Sequence, residues 1–321
     1  PCNPEAEGTE FLVSRGAGVD ARESNVGLSP WMLAASLKAP AVVGALRSHG
    51  ADANLRDKSG GTALYHAAIN KHSAVNVIKL VMGGADTSLS DQAGRTPLMQ
   101  AASSGNIPAM KALISAKAGL EVRDQAGRTP LIIAAAENRN PTVTETLIEA
   151  GADPKARDDR GLSPFLAAAS QNPEARVLEV LHKAGADIKA LDNTGSDALV
   201  LAALGNSSPK VIDWLLGAGL DINAKRQNGL TPILAAAGHT SSQIASALIL
   251  SGAEVEAKDS RGNSPLMLAT FLNPNEEVAR LIFIGGGLAD EKGPTGSSPL
   301  EFAQDQRPEL AEFFKKCLAA N

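Results

Sequence analysis

Apolar residues along this chain come in short bursts of helical spacing, each closed off by glycine, proline and aspartate. Val211, Ile212, Leu215 and Leu216 fall on one face of a helix. Leu98 with Ala101-Ala102, and Leu131 with Ala134-Ala135, mark shorter helices whose buried side is small enough for neighbours to approach closely. Before most short helices stands Thr or Ser, which caps an N-terminus by accepting backbone N–H groups, and then Pro, whose missing N–H costs nothing at the first helical position. Before each cap lies an Asp and, three residues on, a Gly: the side chain of one accepts turn hydrogen bonds, and the other adopts a turn conformation that side chains disfavour. After several longer helices, as at 50, 151 and 185, comes Gly-Ala-Asp, the glycine reading as a C-cap. Extended residues such as Ile222 and Val255 then lead into the next turn.

The cycle repeats. Asp124-Gln125-Ala126-Gly127-Arg128-Thr129-Pro130-Leu131 recurs nearly letter for letter at Asp91–Leu98 and more loosely at Asp158–Phe165. Its glycine recurs as Gly27, Gly60, Gly94, Gly127, Gly161, Gly195, Gly229, Gly262 and Gly296, always 33 or 34 residues apart. Self-similarity at a fixed period of this size predicts a stacked repeat architecture, which overrides the two or three compact domains that the length would suggest. Residues 3 to 17 align without a gap to Asn172–Ala186, so the chain opens on the second helix of a repeat, and upstream sequence is expected.

The series Gly-x-(Thr/Ser)-Pro-Leu-x-x-Ala-Ala, a second helix, Gly-Ala-Asp and the next Asp-x-x-Gly resembles the ankyrin repeat over roughly residues 4 to 318. The resemblance implies an all-α solenoid of helix-turn-helix units with short β-hairpin-like fingers. It implies one domain over 1–321, a half repeat at 3–23 and then about nine repeats. One departure is systematic. Where the family has His after the Leu, this chain has Met32, Tyr65, Met99, Ile132, Leu166, Val200, Leu234, Met267 and Glu301, so apolar packing is expected there instead. The Ala-rich style and the Asn-Pro pairs at 140, 172 and 273 are similar to bacterial members of the family. Those pairs, like Ser208-Pro209, read as starts of second helices.

Composition changes the picture only modestly. Aromatic residues are 3% of the chain against 44% apolar overall, which argues against a deep aromatic pocket, and the net charge of −5 makes no whole-chain case for nucleic acid. No run of about 18 apolar residues exists for a membrane span. The two cysteines, Cys2 and Cys317, stand at opposite ends of the solenoid that the resemblance implies, out of reach of a disulfide, which needs Cα atoms within about 7 Å. At the C-terminus, Leu310, Phe313, Phe314 and Leu318 are expected inward, under a polar outer side of Glu309, Glu312, Lys315 and Lys316.

Catalytic and metal signatures are missing from the sequence. His49, His66, His72, His182 and His239 are scattered, and no His-Glu-x-x-His, Cys-x-x-Cys, phosphate-binding glycine loop or nucleophile elbow occurs. Gly285-Gly286-Gly287 falls where a helix ends and reads as a cap. Asp57, Asp91, Asp124, Asp158, Asp192 and Asp259 read as turn acceptors rather than acid–base pairs, and Asn206-Ser207-Ser208 as a chance glycosylation sequon. No enzyme activity, cofactor or metal is expected.

The resemblance places binding on a concave surface of fingertips and first helices. Four residues before each anchor glycine stand Glu23, Arg56, Ser90, Arg123, Arg157, Leu191, Lys225, Lys258 and Lys292, mostly basic in an acidic chain. Neighbouring tip positions add Lys58, Arg95, Arg128, Arg160 and Arg261, against Asp159. A basic stripe follows, although a cation beside a turn Asp also serves simply as its solvated partner. Leu28, Leu162 and Leu230 at the tips, and Leu37, Ile69, Leu204, Phe271 and Leu272 late in first helices, share this surface. Phe271-Leu272 suggests an interface centre, with packing under the next loop as the alternative. Trp31 belongs to the core, and Trp214 could face either way. The expected role is a monomeric, non-enzymatic module binding a protein with an acidic patch, inhibiting or protecting it. The alternatives are the targeting arm of a larger enzyme or secreted effector, and, more weakly, phosphate or nucleic-acid binding on the same stripe.

Overall fold

The computed structural model describes residues 4–37, 39–71, 74–206, 208–239 and 241–320. Cys2, His72, Ser207 and the first residue of the half repeat, Asn3, lie outside them. The chain divides into two compact units, Pro1–Asp159 with Lys183–Ala186, and Arg160–His182 with Asp187–Asn321.

Both units are built from one hairpin of helices. In the first unit, the helices Pro30–Ser36, Ala63–Ile69, Pro97–Ser104 and Pro130–Glu137 pack side by side, paired with Pro40–Ser48, Ala74–Met82, Ile107–Ser115 and Pro141–Glu149. Pro4–Ser14 packs against Pro40–Ser48. In the second unit the short helices are Pro164–Gln171, Ala198–Gly205, Pro232–Ala237, Pro265–Leu272 and Pro299–Gln306. Their partners are Ala175–Lys183, Pro209–Gly217, Ser242–Leu250, Glu276–Ile284 and Pro308–Ala320. Thr96, Thr129, Ser163, Thr231 and Ser264 each accept the backbone N–H three residues on, with Pro at the first helical position. The fingers between hairpins are tight turns, and no strand forms among the described residues.

The layer between neighbouring short helices is aliphatic. Leu98, Ala101, Ala102, Leu131, Ala134 and Ala135 are completely buried. The position that holds His in the resemblance is apolar and buried in seven copies, from Met32 to Met267. Three of its methionines also make a polar contact, because the sulfur of Met32, Met99 and Met267 accepts the N–H of the preceding cap residue at 3.4–3.5 Å. Tyr65 is half-buried and donates its hydroxyl to Asp91 at 2.7 Å, while Glu301 accepts the Ser298 N–H. Trp31 is core. Trp214 is half-buried between Phe165 and His182, ring centroids 5.9 and 6.1 Å away.

Two expectations change. The Asn-Pro pairs do not all cap second helices: Asn140 does, but after Asn172-Pro173 and Asn273-Pro274 the helices begin only at Ala175 and Glu276. Those two asparagines are buried and close the preceding short helix instead. Leu318 points outward, as do Ile284 and Leu250, one and two repeats before it, whereas Leu310 and Phe314 face in as expected.

Buried asparagines tie each repeat to the one before it. Asn106 donates to the Ala68 and Asn70 carbonyls, Asn206 to those of Ala169 and Asn172, and Asn273 to those of Ala237 and His239, all at 2.6–3.1 Å. They occupy the C-terminal carbonyls that a helix cannot satisfy itself. Both amide hydrogens of Asn206 are committed to these carbonyls.

Left-handed backbone closes most of the longer helices, at Gly50, Gly84, Gly151, Gly185, Gly219 and Gly252. The repeat anchored at Gly94 is different, with Lys117 at φ 60, the sole non-glycine with positive φ among the described residues. A Cβ in that region costs about 1–2 kcal/mol. Lys117→Gly is therefore expected to raise stability by about 1 kcal/mol, seen as a higher urea midpoint at unchanged slope. An unmoved midpoint would show that the lysine is unstrained.

Candidate interaction surface

Each finger is organised by its aspartate. Asp57, Asp91, Asp124, Asp192 and Asp259 all use one oxygen to accept the N–H groups two and four residues on, at 2.8–2.9 Å. The same residue closes the loop through its own N–H, as from Asp124 to the Arg128 carbonyl at 3.0 Å. One main-chain bond then joins successive tips, from Gln92 to Ser59, Gln125 to Ala93 and Asp159 to Ala126 in the first unit, and from Asn193 to Arg160 in the second. Burial pushes the Asp57 carboxyl up, but hydrogen bonds from Ser59, His66 and the Gly61 amide outweigh it and hold the group below the ordinary carboxylate range. The first finger uses Glu23 instead, whose carboxylate accepts the Asn25 amide above all, then those of Val26, Leu28 and Gly27, and is lowered likewise.

The basic positions fall into distinct settings. In the first unit Arg56 is exposed and donates to the Ser90 carbonyl at 2.9 Å, and Lys58 donates to the Ser24 and Asn25 carbonyls at 2.7 and 2.8 Å. Arg123 donates to the carbonyls of Gly127 and Arg157. Cations before the turn Asp thus also act as ties to the next finger. Arg157 and Arg160 are exposed. Arg95 and Arg128 converge on Glu137, at 2.7 and 3.2 Å, while Arg128 also pairs with Asp124 at 2.8 Å. Beside them, His66 meets Asp57 at 2.7 Å and Gln100 donates to the Tyr65 hydroxyl at 2.8 Å. Burial and the Asp91 hydrogen bond raise that phenol above its ordinary value.

The second unit combines charge with apolar surface. A cavity of about 480 Å³ is lined by Leu230, Leu268, Phe271 and Leu272, with Arg261, Asn263, Gln227 and Asp259 at its polar side. Leu272 is 69% exposed, whereas Phe271 is half-buried against Phe302 at 4.7 Å, so one of the pair faces solvent and the other is packed. Lys225, Lys258 and Arg261 are exposed, and Lys258 pairs with Glu291. Leu162 is buried and offers no surface, because its tip position is covered. Among the interior repeats, the one anchored at Gly229 departs from the rule: Arg226 stands where the turn Asp should, its finger closes as a 3₁₀ turn over Gln227–Gly229, and its guanidinium pairs with the buried Asp197, the cap of Ala198–Gly205.

Two groups that sequence reading missed are polar pairs separated by about a repeat. Glu137 lies 42 residues from Arg95, and Asp197 lies 29 from Arg226. The signal for the second was present: both residues break the repeat at positions that face each other. Among the described residues no group of three His, Cys, Asp or Glu is placed to hold a metal ion, and no helix is long and apolar enough to cross a membrane. Cys317 is a free thiol.

The family described as ankyrin repeats (3 copies) matches residues 73–158, 133–226 and 205–290. No curated protein matches the chain by sequence. Among solved structures, the ankyrin repeat domain of human ASB11 is similar, with a TM-score of 0.61 at 22% identity, covering 69% of this chain and 97% of that one. That likeness concerns the fold. With glycine-anchored fingers, capped short helices and a family match over well over half its length, this chain belongs to the ankyrin repeat family.

Proposed function

We propose that this chain acts as a single monomeric domain that binds a partner protein through its fingertips and short-helix faces, and that the partner presents an acidic patch. Ankyrin repeats are generally non-catalytic protein–protein interaction modules. The observation that carries the finer reading is the second unit's cavity, where exposed Leu272 and half-buried Phe271 and Leu230 sit beside Arg261. An apolar centre with a cationic rim supplies affinity from the first and steering from the second. Aromatic side chains for stacking bases are too few to favour a nucleic acid. Covering the active site of that partner is the narrower form of the same proposal.

The test is capture of a binding protein from the source organism, followed by titration against salt. Leu272→Asp and Arg261→Glu are each expected to weaken capture, and Arg261→Glu to flatten its salt dependence. Undiminished capture by the doubly changed protein would remove the proposed surface. Binding that ignores salt would remove the acidic patch.

A further inference from the structure

We infer that Glu137 is an internal stand-in for a partner carboxylate, held in a seat that Arg95 and Arg128 form from two successive fingers and Ser103 from the helix Pro97–Ser104. One oxygen of Glu137 lies 2.7 Å from Arg95 and 3.2 Å from Arg128, and the other accepts the Ser103 hydroxyl at 2.6 Å. The three charged side chains are each about a quarter exposed, so the seat opens to solvent while its geometry is fixed.

Three features mark Glu137 as displaceable rather than structural. It ends the helix Pro130–Glu137, where a carboxylate meets the negative end of the helix dipole and is disfavoured. Its counterparts in the other repeats are Leu37, Asn70, Ser104, Gln171, Gly205, His239, Leu272 and Gln306, so the repeat does not require an acid there. Finally, Asp124 cannot replace it, because its carboxylate is already committed to its own turn and to one edge of Arg128. Asp91 is committed likewise, to the Ala93 and Arg95 amides and the Tyr65 hydroxyl, so Glu137 is the carboxylate that the Arg95 guanidinium and the free edge of Arg128 share. Removing that carboxylate leaves a single positive vacancy, matched to one Asp or Glu of an incoming chain. The inference rests on the proposed acidic partner and places one of its contacts: the seat stays closed until a better-placed carboxylate arrives.

A labelled polyglutamate peptide tests this by fluorescence anisotropy at low ionic strength. Glu137→Gln is expected to bind it about tenfold more tightly than the unaltered chain, the size of one charge-assisted contact. Adding Arg95→Gln should return the affinity to the original level. Thermal unfolding of each variant establishes that folded proteins are being compared. If the peptide binds the unaltered chain and Glu137→Gln leaves that affinity unchanged, the seat is disproved and the acidic partner stands. If none of the proteins binds it, both fall. A gain that survives Arg95→Gln also overturns the seat.

Discussion

Gly127→Ala is expected to cost about 3 kcal/mol of stability, a large effect for a single added methyl group. Two separate penalties combine. Gly127 has φ 75, a region in which a Cβ costs about 1–2 kcal/mol. That Cβ would also overlap the Asp159 carboxylate and lie 2.8 Å from the Asp159 amide nitrogen. The carboxylate can swing away, but the backbone cannot. The bond from Asp159 N–H to the Ala126 carbonyl, 3.1 Å long, joins these two fingers and would have to lengthen. Gly151→Ala is the control, because it shares the positive φ, at 97, but has nothing within 4 Å of the added atom. It should lose only the strain, about 1–2 kcal/mol. Urea unfolding of both variants separates the terms, and equal losses would mean that contact between fingers contributes nothing.

Asn106→Ala is expected to cost a similar amount, again about 3 kcal/mol, for a different reason. The side chain is fully buried and serves two repeats at once. Its amide donates to the Ala68 and Asn70 carbonyls at 3.1 and 2.8 Å, and its oxygen accepts the Ala109 N–H at 3.2 Å, capping the next helix. Alanine takes a buried donor from each of two carbonyls and removes the cap from the Ala109 N–H, and an unmet buried polar group costs about 1–3 kcal/mol. Because repeats are held by nearest-neighbour interfaces, the loss should fall on the junction between two of them. Amide exchange should therefore quicken around residues 63–115 before it does so in distant repeats. A variant within about 1 kcal/mol of the original (a loss no larger than one ordinary bond) would mean that water replaces the asparagine.

Repeat position located the cations of the fingers but not the groups that oppose them. Counting Arg and Lys by position gave a stripe of one sign, yet Arg95 and Arg128 are opposed by Glu137, and Arg123 spends hydrogen bonds on carbonyls of its own and the next finger. Leu162 read as a tip residue and is buried, while Leu272, late in its short helix, is the more exposed of its pair. Place within the repeat dictates where each Cα stands. It does not dictate what the neighbouring repeat sets against it.

The period, the caps, the turn aspartates and the glycine anchors were all legible in the amino-acid sequence. Each is satisfied within about five residues of its own backbone, so spacing alone reveals it. Which cations are opposed, which asparagines bridge repeats and where the cavity lies emerged only once the hairpins were packed. Those contacts join residues 29 to 42 positions apart through side chains whose direction depends on how one hairpin settles on another, and no local pattern carries that information.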